Sequence, residues 1–406
     1  MSNIPDNTSS VAIPDQLIDQ VIGQENALEV VRLAAQQRRF LLIIGEPGTG
    51  KSLLGQSVAE LLNNEGLEDL VSEENKEDPL APSVKSHPAG QGEKIVAEAK
   101  QRSKHSIQSE LYILWTIGIA AFIVSLYYTL RQENIFYLVG GIFTIAFLWF
   151  IRKKLLVRKN SATPKILVNN KNTSQAPFIN GTGSQMGALL GDVRHDPYQS
   201  GGYETPPHQL LESGAIHRAH KGVLFIDEVA TLSMESQQNL LTAIQEKEMP
   251  ILGRSQGSSG TMVRSNSAPA DFLLILAGNL EDLEGLHPAL RSRIRGNGYE
   301  VYTKTTMKET PENTEKMVQF IAQEIKRDKK IPHFNKSAIE AILTEARIKS
   351  GKVVYFSTLF RELGGLIRIA GDLATQEKAS LVEEAHVLSA KKFCVPLEQQ
   401  IKERSA

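Results

Sequence analysis

A glycine-rich run between residues 45 and 52 carries the most specific chemistry in this chain. It reads GEPGTGKS and matches the pattern G-x-x-x-x-G-K-[ST] throughout. In this pattern backbone N–H groups surround phosphate oxygens, the lysine neutralises the β and γ oxygens, and the serine hydroxyl is a ligand of Mg²⁺. The run therefore predicts a site for ATP with Mg²⁺, formed by Gly45, Glu46, Pro47, Gly48, Thr49, Gly50, Lys51 and Ser52.

An acidic pair supplies the second half of such a site. Asp227 and Glu228 follow the apolar run Val-Leu-Phe-Ile, which is typical of a buried strand. Asp227 is expected to hold Mg²⁺, largely through water, and Glu228 to orient and deprotonate the attacking water. The alternative is an acidic pair that only ends a strand. The complete phosphate-binding run elsewhere in the chain argues against it.

Further polar residues have types that suit phosphoryl transfer. Asn279 follows the apolar run FLLILAG, where its side chain could help to hold the attacking water. Arg291 and Arg293, in HPALRSRIRG, carry the guanidinium groups that stabilise charge on a γ-phosphate, and in a ring one of them would reach a neighbour's site. A solvated basic face is the alternative for this pair. Arg361 is the candidate for an arginine acting within its own subunit, and Arg368 competes for that role.

The elements around these residues predict an α/β fold with a parallel sheet and a helical lid. Short, fully apolar runs at Phe40–Ile44, Val223–Ile226 and 272–277 indicate buried strands. Helical spacing predicts helices at 25–38, 52–63, 186–190, 209–219 and 236–246, and a glycine-rich hairpin at 249–263. Beyond Pro311 the pattern is almost purely helical, at 312–328, 337–349, 357–375 and 383–393.

Two apolar runs, 111–130 and 134–151, interrupt the α/β pattern. Each is near the length that crosses a bilayer as a helix, and only Arg131, Gln132 and Glu133 separate them. Basic residues follow the second run, and positive charge concentrates on the cytoplasmic side of membrane helices. The runs therefore predict a two-helix transmembrane hairpin in the cell membrane, with the ATPase and both termini in the cytoplasm. A pair of buried helices in a soluble core is the alternative.

Composition narrows the partners. Lys and Arg number 45 against 46 Asp and Glu, for a net charge of -1, so no nucleic-acid partner is expected. The single cysteine, Cys394, excludes an internal disulfide. The first residues have no basic start and no apolar stretch, which argues against a signal peptide.

The predicted domain boundaries follow from these patterns. We expect a flexible N-terminus over 1–17, a discontinuous α/β nucleotide-binding domain over 18–64 and 160–308, and a linker over 65–110. The membrane hairpin would cover 111–151, the lid 309–396, and a truncated link 397–406.

Two other residue groups carry weaker expectations. Tyr198 and Tyr203 lie in a glycine-rich loop that could grip an extended polypeptide in a ring motor, or could simply be packing aromatics. The histidines lack the spacing of a zinc protease and are expected to lie on the surface or in loops: His195, His208, His217 and His220.

Four sequence blocks together resemble the ATPase part of the archaeal-type, membrane-anchored Lon protease, a branch of the AAA+ superfamily. They are GEPGTGKS, FINGTGSQMGALLGDVRHDPYQSGG, GAIHRAHKGVLFIDEVATL and HPALRSRIRGNGYEVY. The resemblance runs from about Ile13 to the C-terminus. It implies an AAA+ fold, a homo-hexameric ring, unfolded or misfolded polypeptide substrates and the lipid bilayer as partners. It also carries the roles described above to Lys51, Asp227, Glu228, Asn279, Arg291 and Arg361.

The resemblance has one departure, which concerns the Ser-Lys peptidase domain of that family. The last residues, PLEQQIKERSA, look like the link to it. A fragment, a truncated gene product and one half of a split enzyme, with a separate peptidase as partner, are all compatible with this end. The main hypothesis is thus the ATP-dependent unfoldase and translocase module of such a protease. A remodelling chaperone similar to chelatase and MoxR-like ATPases, without proteolysis, is the alternative, and a non-catalytic nucleotide-binding scaffold is a third.

Overall fold

The computed structural model describes residues 4–62, 66–132, 134–161, 163–194, 205–254 and 262–395. Its helices are α1 (Glu25–Gln37), α2 (Lys51–Leu61), α3 (Gln91–Gln132), α4 (Phe136–Ser161), α5 (Met186–Leu190), α6 (Pro207–Leu210), α7 (Ala215–Arg218), α8 (Met234–Glu246), α9 (Pro288–Asn297), α10 (Pro311–Asp328), α11 (Lys336–Ser350), α12 (Phe360–Gln376) and α13 (Glu384–Phe393). Its strands are β1 (Phe40–Ile44), β2 (Glu68–Glu73), β3 (Ser83–Pro88), β4 (Lys165–Val168), β5 (Phe178–Asn180), β6 (Asp192–Val193), β7 (Leu211–Glu212), β8 (Val223–Ile226), β9 (Glu248–Arg254), β10 (Met262–Pro269), β11 (Leu273–Gly278), β12 (Gly298–Tyr302), β13 (Thr306–Lys308), β14 (His333–Phe334), β15 (Tyr355–Ser357) and β16 (Leu381–Val382).

A five-stranded sheet in the order β12-β1-β11-β8-β5 forms the centre of the nucleotide-binding domain. All four strand pairs are parallel. Alternate residues of each strand point into two separate cores: Leu41 and Ile43 pack towards α1 and α2, whereas Leu42 and Ile44 pack towards α7, α8 and α9. Burial on both faces explains why the three central strands β1, β11 and β8 are continuous apolar runs, and the predicted α/β parallel sheet is confirmed.

The predicted helix over 209–219 is wrong in its middle. The structure has two short turns of helix there, α6 and α7, with β7 between them. Gly214 separates the segments and lies so close to the backbone of Leu189 and Gly191 that a side chain would overlap it. This tertiary contact overrides the local helical pattern. The hairpin predicted over 249–263 is present as the antiparallel pair β9–β10.

A second, smaller sheet lies where the sequence predicted only a connecting segment over 65–110. It has the order β3-β2-β4, and it contains two strands from that segment. Leu70 and Val71 of β2 are buried, and Leu70 packs in a cluster that the small sheet shares with the hairpin β9–β10. Asn266 of β10 joins this sheet to the hairpin, because its side chain accepts from Val84 N at 2.6 Å and donates to Val84 O at 3.2 Å.

Asp69 of β2 ties the start of the long helix α3 to this small sheet. Its carboxylate is fully buried and accepts hydrogen bonds from the N–H groups of Gly90 at 2.7 Å, Gly92 at 3.0 Å and Asn170 at 2.8 Å. Gly90 and Gly92 lie at the entry to α3, and Asn170 follows β4 on the returning chain. One side chain of β2 therefore holds the entry to α3 and the chain after β4 against the same small sheet.

Helices α3 and α4 form an antiparallel pair. Gly141 packs against Ser125, and Gly118 against Leu148, so small residues allow the two helices to approach closely. Most of the large apolar side chains of 112–150 face outwards. Within the described residues, one helix segment, Tyr112–Arg131, is long and apolar enough to cross a membrane, and Phe136–Phe150 is shorter. The second span of the predicted hairpin is therefore not confirmed.

The lid consists of α10 to α13 around a core that includes Phe334, Phe356 and Leu363. The N-terminal segment, predicted to be flexible, packs on it. Thr8 is buried, and its hydroxyl accepts from Phe334 N at 3.0 Å and lies 3.0 Å from His333 Nδ1. The short polar segment thus obtains its order from the lid rather than from its own pattern.

The expectation of surface histidines is wrong for three of the four. His208, His217 and His220 are buried, while His195 lies outside the described residues. Burial lowers the pKa of His217 to about 4, so its ring is neutral at pH 7 and its Nε2–H donates to Met249 O at 2.9 Å. These rings join chain segments and form no metal cluster among the residues described.

Replacing Asp69 with alanine is expected to loosen the attachment of α3. Three N–H groups would lose their acceptor, which costs about 3 kcal/mol or more in stability. Hydrogen exchange of detergent-solubilised protein should show lost protection at residues 90–92 and 170. The control is Asp78→Ala, an exposed aspartate in the same inserted segment with one hydrogen bond, to Leu80 N. Equal exchange in both variants would contradict the role given to Asp69.

Candidate functional site

The phosphate-binding loop joins β1 to α2 at the carboxyl edge of the central sheet. Gly48 and Gly50 have φ values of 86° and 89°, a region that residues with side chains rarely adopt. The Thr49 hydroxyl donates to Glu46 O at 2.9 Å and lies 2.8 Å from the hydroxyl of the buried residue Thr303. The loop is thus held in shape by its own glycines and by the end of β12.

Lys51 lies at the first position of α2, and its side chain turns back over the loop. Its ammonium donates to Gly45 O at 2.6 Å and to Glu46 O at 3.2 Å. Burial lowers its pKa, and the nearby positive charge of Arg361 acts in the same direction, whereas Asp227 opposes both. An anion placed between Lys51 and Arg361 would relieve this mutual repulsion.

The strands next to β1 deliver the acidic and amide groups. Asp227 follows β8 directly, and its N–H donates to the Thr182 hydroxyl at 2.8 Å. Glu228 has a φ of 51°, which is unusual for a residue with a side chain. Asn279 follows β11, and its N–H donates to Asp282 Oδ2 at 2.6 Å. Parallel strands bring these residues to one edge of the sheet.

The lid reaches the phosphate-binding loop directly. Phe360 N donates to Gly48 O at 2.9 Å, and the next residue, Arg361, faces the same cleft. A Cβ atom on Gly48 would lie 2.6 Å from the Cβ of Arg361, so only glycine fits at this contact. The start of α12 is therefore locked to the loop.

The two lid arginines differ in their surroundings. Arg368 donates to Glu324 Oε2 at 2.6 Å, and Arg327 pairs with the other oxygen of the same buried carboxylate at 2.9 Å. Arg361 is exposed in the cleft, with no ion-pair partner among the residues described. Of the two, Arg361 has the free guanidinium.

These groups line one cleft of about 450 Å³ between the nucleotide-binding domain and the lid. The structure brings together Gly48 to Ser52, Asp227, Glu228, Asn279, Arg361 and Arg368. Arg291 and Arg293 of α9 do not line it. Arg293 is exposed, and the Nε of half-buried Arg291 has no hydrogen-bond partner within the described chain. Tyr198 and Tyr203 lie outside the described residues.

Sequence patterns did not identify the opposite wall of the cleft. Gln20, Val21 and Ile22 line it from the N-terminal side, and Phe320 and Phe360 from the lid. Apolar groups beside the phosphate-binding loop suit a flat base. Their partners are distant in sequence, so no local motif marks them.

The donor set fits Mg²⁺ rather than a metal held entirely by protein. The Ser52 hydroxyl and the Asp227 carboxylate both face the cleft. No group of three or more His, Cys, Asp or Glu side chains able to hold a metal occurs in the described part of the chain. Mg²⁺ commonly binds one or two protein oxygens and completes its shell with water and phosphate oxygens.

Two protein-family models and several known proteins match this chain. Residues 17–114 match the family model of magnesium chelatase, subunit ChlI, and residues 163–270 match that of the Sigma-54 interaction domain. The chain is 49% identical over 394 residues to an archaeal Lon protease of Thermococcus kodakarensis, covering 97% of this chain and 61% of that protein. For the archaeal Lon protease of Archaeoglobus fulgidus the identity is 48% over 399 residues, with 98% and 63% covered.

A third relative matches over nearly its whole length. It is a Lon protease homolog of Thermoplasma acidophilum, 35% identical over 456 residues, with 97% of this chain and 91% of that protein covered. The chain therefore spans about three-fifths of the first two relatives and nearly all of the third.

Alanine at Gly48 should destabilise the nucleotide-free protein more than alanine at Gly50. Both positions have positive φ, so each substitution strains the backbone by about 1 kcal/mol. Gly50 has open space around it, whereas a Cβ at Gly48 overlaps Arg361, which adds roughly 1–3 kcal/mol. Thermal unfolding without nucleotide measures the difference. Equal melting temperatures for the two variants would show that the lid does not rest on the loop.

Proposed function

The chain belongs to the archaeal Lon protease family, and we propose that it is the ATP-hydrolysing unfoldase and translocase module of such a protease. The observation that carries this proposal is the meeting of Lys51, Asp227, Glu228, Asn279 and Arg361 at one cleft. Those residues come from four elements far apart in sequence. Their types are the ones that phosphoryl transfer needs.

In the proposed site ATP binds with its phosphates along the loop. Backbone N–H groups at the start of α2 face the phosphate oxygens, and the positive end of the helix favours them. Lys51 would exchange its bonds to Gly45 O and Glu46 O for phosphate oxygens. Ser52 and Asp227 would hold Mg²⁺, which neutralises charge on the β- and γ-phosphates.

The attacking water would be held by Glu228 and Asn279. Glu228 is an exposed carboxylate at the end of β8, so it can accept a proton from water positioned against the γ-phosphate. Glu228 lines the cleft, and its positive φ turns the backbone at the end of the strand. Asn279, on the neighbouring strand β11, offers an amide to the same water.

Arg361 would contact the γ-phosphate from its own subunit. Its guanidinium has no ion-pair partner in the part of the chain that the structure describes, and the Phe360–Gly48 bond keeps it at the loop. Arg368 would have a supporting role, because the buried Glu324 carboxylate already holds it. As the γ-phosphate leaves, the electrostatic attraction between it and Arg361 is lost.

A ring would complete the site with an arginine from a neighbour. Helix α9 carries Arg291 and Arg293 away from its own cleft, which fits residues that serve another subunit. The family relationship supports an oligomer that handles protein substrates. We propose a homo-hexamer that pulls unfolded or misfolded polypeptide through its centre towards a Ser-Lys peptidase domain.

The helices α3 and α4 would anchor this module in the cell membrane, with both termini in the cytoplasm. Tyr112–Arg131 has the length and composition of a span. We propose that Phe136–Phe150, extended by its neighbours, returns as the second span. Outward-facing apolar side chains along both helices support a lipid environment.

A remodelling ATPase without proteolysis is a weaker alternative. The magnesium chelatase model covers only residues 17–114, whereas the Lon relatives match almost the whole chain.

Exchanging Glu228 for glutamine should abolish turnover and preserve ATP binding. The amide keeps the shape of the side chain but cannot accept the proton, so phosphate release should fall by about 10²-fold or more. Binding of a fluorescent ATP analogue should stay close to that of the unaltered protein. Glu235→Gln, an exposed change on α8, is the matched control. Unchanged phosphate release in Glu228→Gln would contradict the role of this carboxylate.

Replacing residues 111–151 with a short Gly-Ser linker should release the protein from membranes. An apolar segment of about 20 residues is long enough to cross a bilayer, and only 6% of the window in Tyr112–Arg131 is buried by the residues that the structure describes. The unaltered chain should stay in the membrane pellet after carbonate washing, and the shortened chain should be soluble and bind ATP. Release of the unaltered chain into the supernatant by carbonate would contradict the proposal that these helices anchor the protein.

A further inference from the structure

Gln24 is a buried polar residue that does not contact the groups of the proposed reaction. It is 2% exposed, and it lies two residues after Ile22 in the wall of the cleft. Its side-chain amide forms two hydrogen bonds to one residue that is distant in sequence. Gln24 Nε2 donates to Lys304 O at 2.7 Å, and Lys304 N donates to Gln24 Oε1 at 2.8 Å.

Lys304 lies in the linker from β12 to the lid, so this pair joins the cleft wall to the domain connection. The lid approaches the same carbonyl from the other side. Thr358 Oγ1 donates to Lys304 O at 2.5 Å, and Thr358 N donates to Thr305 O at 2.9 Å. Lys304 O thus accepts one bond from each domain.

Gly23 makes this junction tight. Its φ is +69°, and a Cβ there would lie 2.8 Å from Thr358 Cγ2 and 2.9 Å from Met307 Sδ. The two residues before it bury their side chains in different domains: Val21 packs in the core of the nucleotide-binding domain, and Ile22 in the core of the lid. The segment 20–24 therefore cannot shift without moving the lid connection.

The chain from Thr358 leads straight to the phosphate site. Two residues later Phe360 N bonds to Gly48 O, and Arg361 enters the cleft. A continuous set of backbone and side-chain contacts thus runs from the cleft-lining residues Val21 and Ile22, through Gln24 and the backbone of Lys304, to Thr358 and the start of α12.

We propose that Gln24 is a positioning residue that couples occupancy of the base-facing wall to the placement of Arg361 at the phosphates. The ligand class is a nucleoside triphosphate, in which base and phosphates are one molecule. The inference rests on the proposed ATP hydrolysis. A phosphate compound without a base would occupy the loop without engaging this connection.

A double-mutant cycle between Gln24 and Arg361 tests the coupling, with kcat for ATP measured on the full chain in detergent micelles. Gln24→Leu keeps the volume and removes both hydrogen bonds. We expect it to lower kcat about tenfold, and to reduce the effect of Arg361→Ala to within about threefold in the Gln24→Leu background. Multiplicative effects of the two changes would overturn the proposal. Gln36→Leu, an exposed glutamine on α1, is the matched control.

A second variant guards against a loss of folding. Gln24→Glu keeps the shape and can still accept from Lys304 N, but its ionised form cannot donate to Lys304 O. Burial favours the neutral acid, which restores the donor. The ratio of the kcat of Gln24→Glu to that of the unaltered chain should therefore rise as the pH falls, and a ratio independent of pH would contradict the hydrogen-bond role.

Displacement of a fluorescent nucleotide separates base coupling from simple damage. Gln24→Leu should weaken ADP binding about tenfold and leave pyrophosphate binding within about twofold. Equal weakening of both would indicate a general structural defect and overturn the proposal. If the unaltered chain binds ADP but releases no phosphate from ATP, the proposed hydrolysis fails. If hydrolysis is normal and the cycle is multiplicative, only the role of Gln24 fails.

Discussion

The hydrogen bond from Phe360 N to Gly48 O is the contact on which the arrangement of the site depends. At 2.9 Å it joins the first residue of α12 to the centre of the phosphate-binding loop. Glycine at position 48 makes it possible, because a side chain there would overlap Arg361. The cleft is consequently a space between two domains rather than a pocket in one of them, and anything bound in it touches both.

The position of the inserted segment also depends on a few specific hydrogen bonds. Its small sheet is built on β2, and Asp69 fixes the entry to α3 and the chain after β4 with one carboxylate. His220 adds a second link, since its Nε2 lies 3.1 Å from Glu68 Oε2 and its Nδ1 accepts from Asp271 N at 3.0 Å. These hydrogen bonds connect the start of α3 and strand β2 to the chain that leads into β8 and β11.

The sequence predicted three of the five central strands and the phosphate-binding loop because their signals are local, whereas the edge strands β5 and β12 were not predicted. Phe40–Ile44 and Val223–Ile226 are continuous apolar runs, as burial on two faces requires. β2 and β3 were not predicted because they mix polar and apolar residues. The helix predicted over 209–219 is interrupted at Gly214, where close contact with the backbone of Leu189 and Gly191 determines the conformation.

The sequence motifs predicted the residues that line the site, but not the residues that hold them in position. Thr303 and Gln24 act on backbone or hydroxyl groups about 250 to 280 residues away, which no spacing rule can show. The choice between Arg361 and Arg368 also required the three-dimensional structure, because it shows that Glu324 on α10 forms an ion pair with Arg368 and not with Arg361. Arg291 and Arg293 keep their predicted roles as an expectation, since a neighbouring subunit would have to receive them.

A structure of the full chain with Mg²⁺ and a non-hydrolysable ATP analogue tests the central claim most directly. The account predicts γ-phosphate oxygens within hydrogen-bond distance of both Lys51 and Arg361 of the same subunit, with the Phe360–Gly48 bond intact. A bound analogue with Arg361 turned to solvent and that bond broken would contradict it.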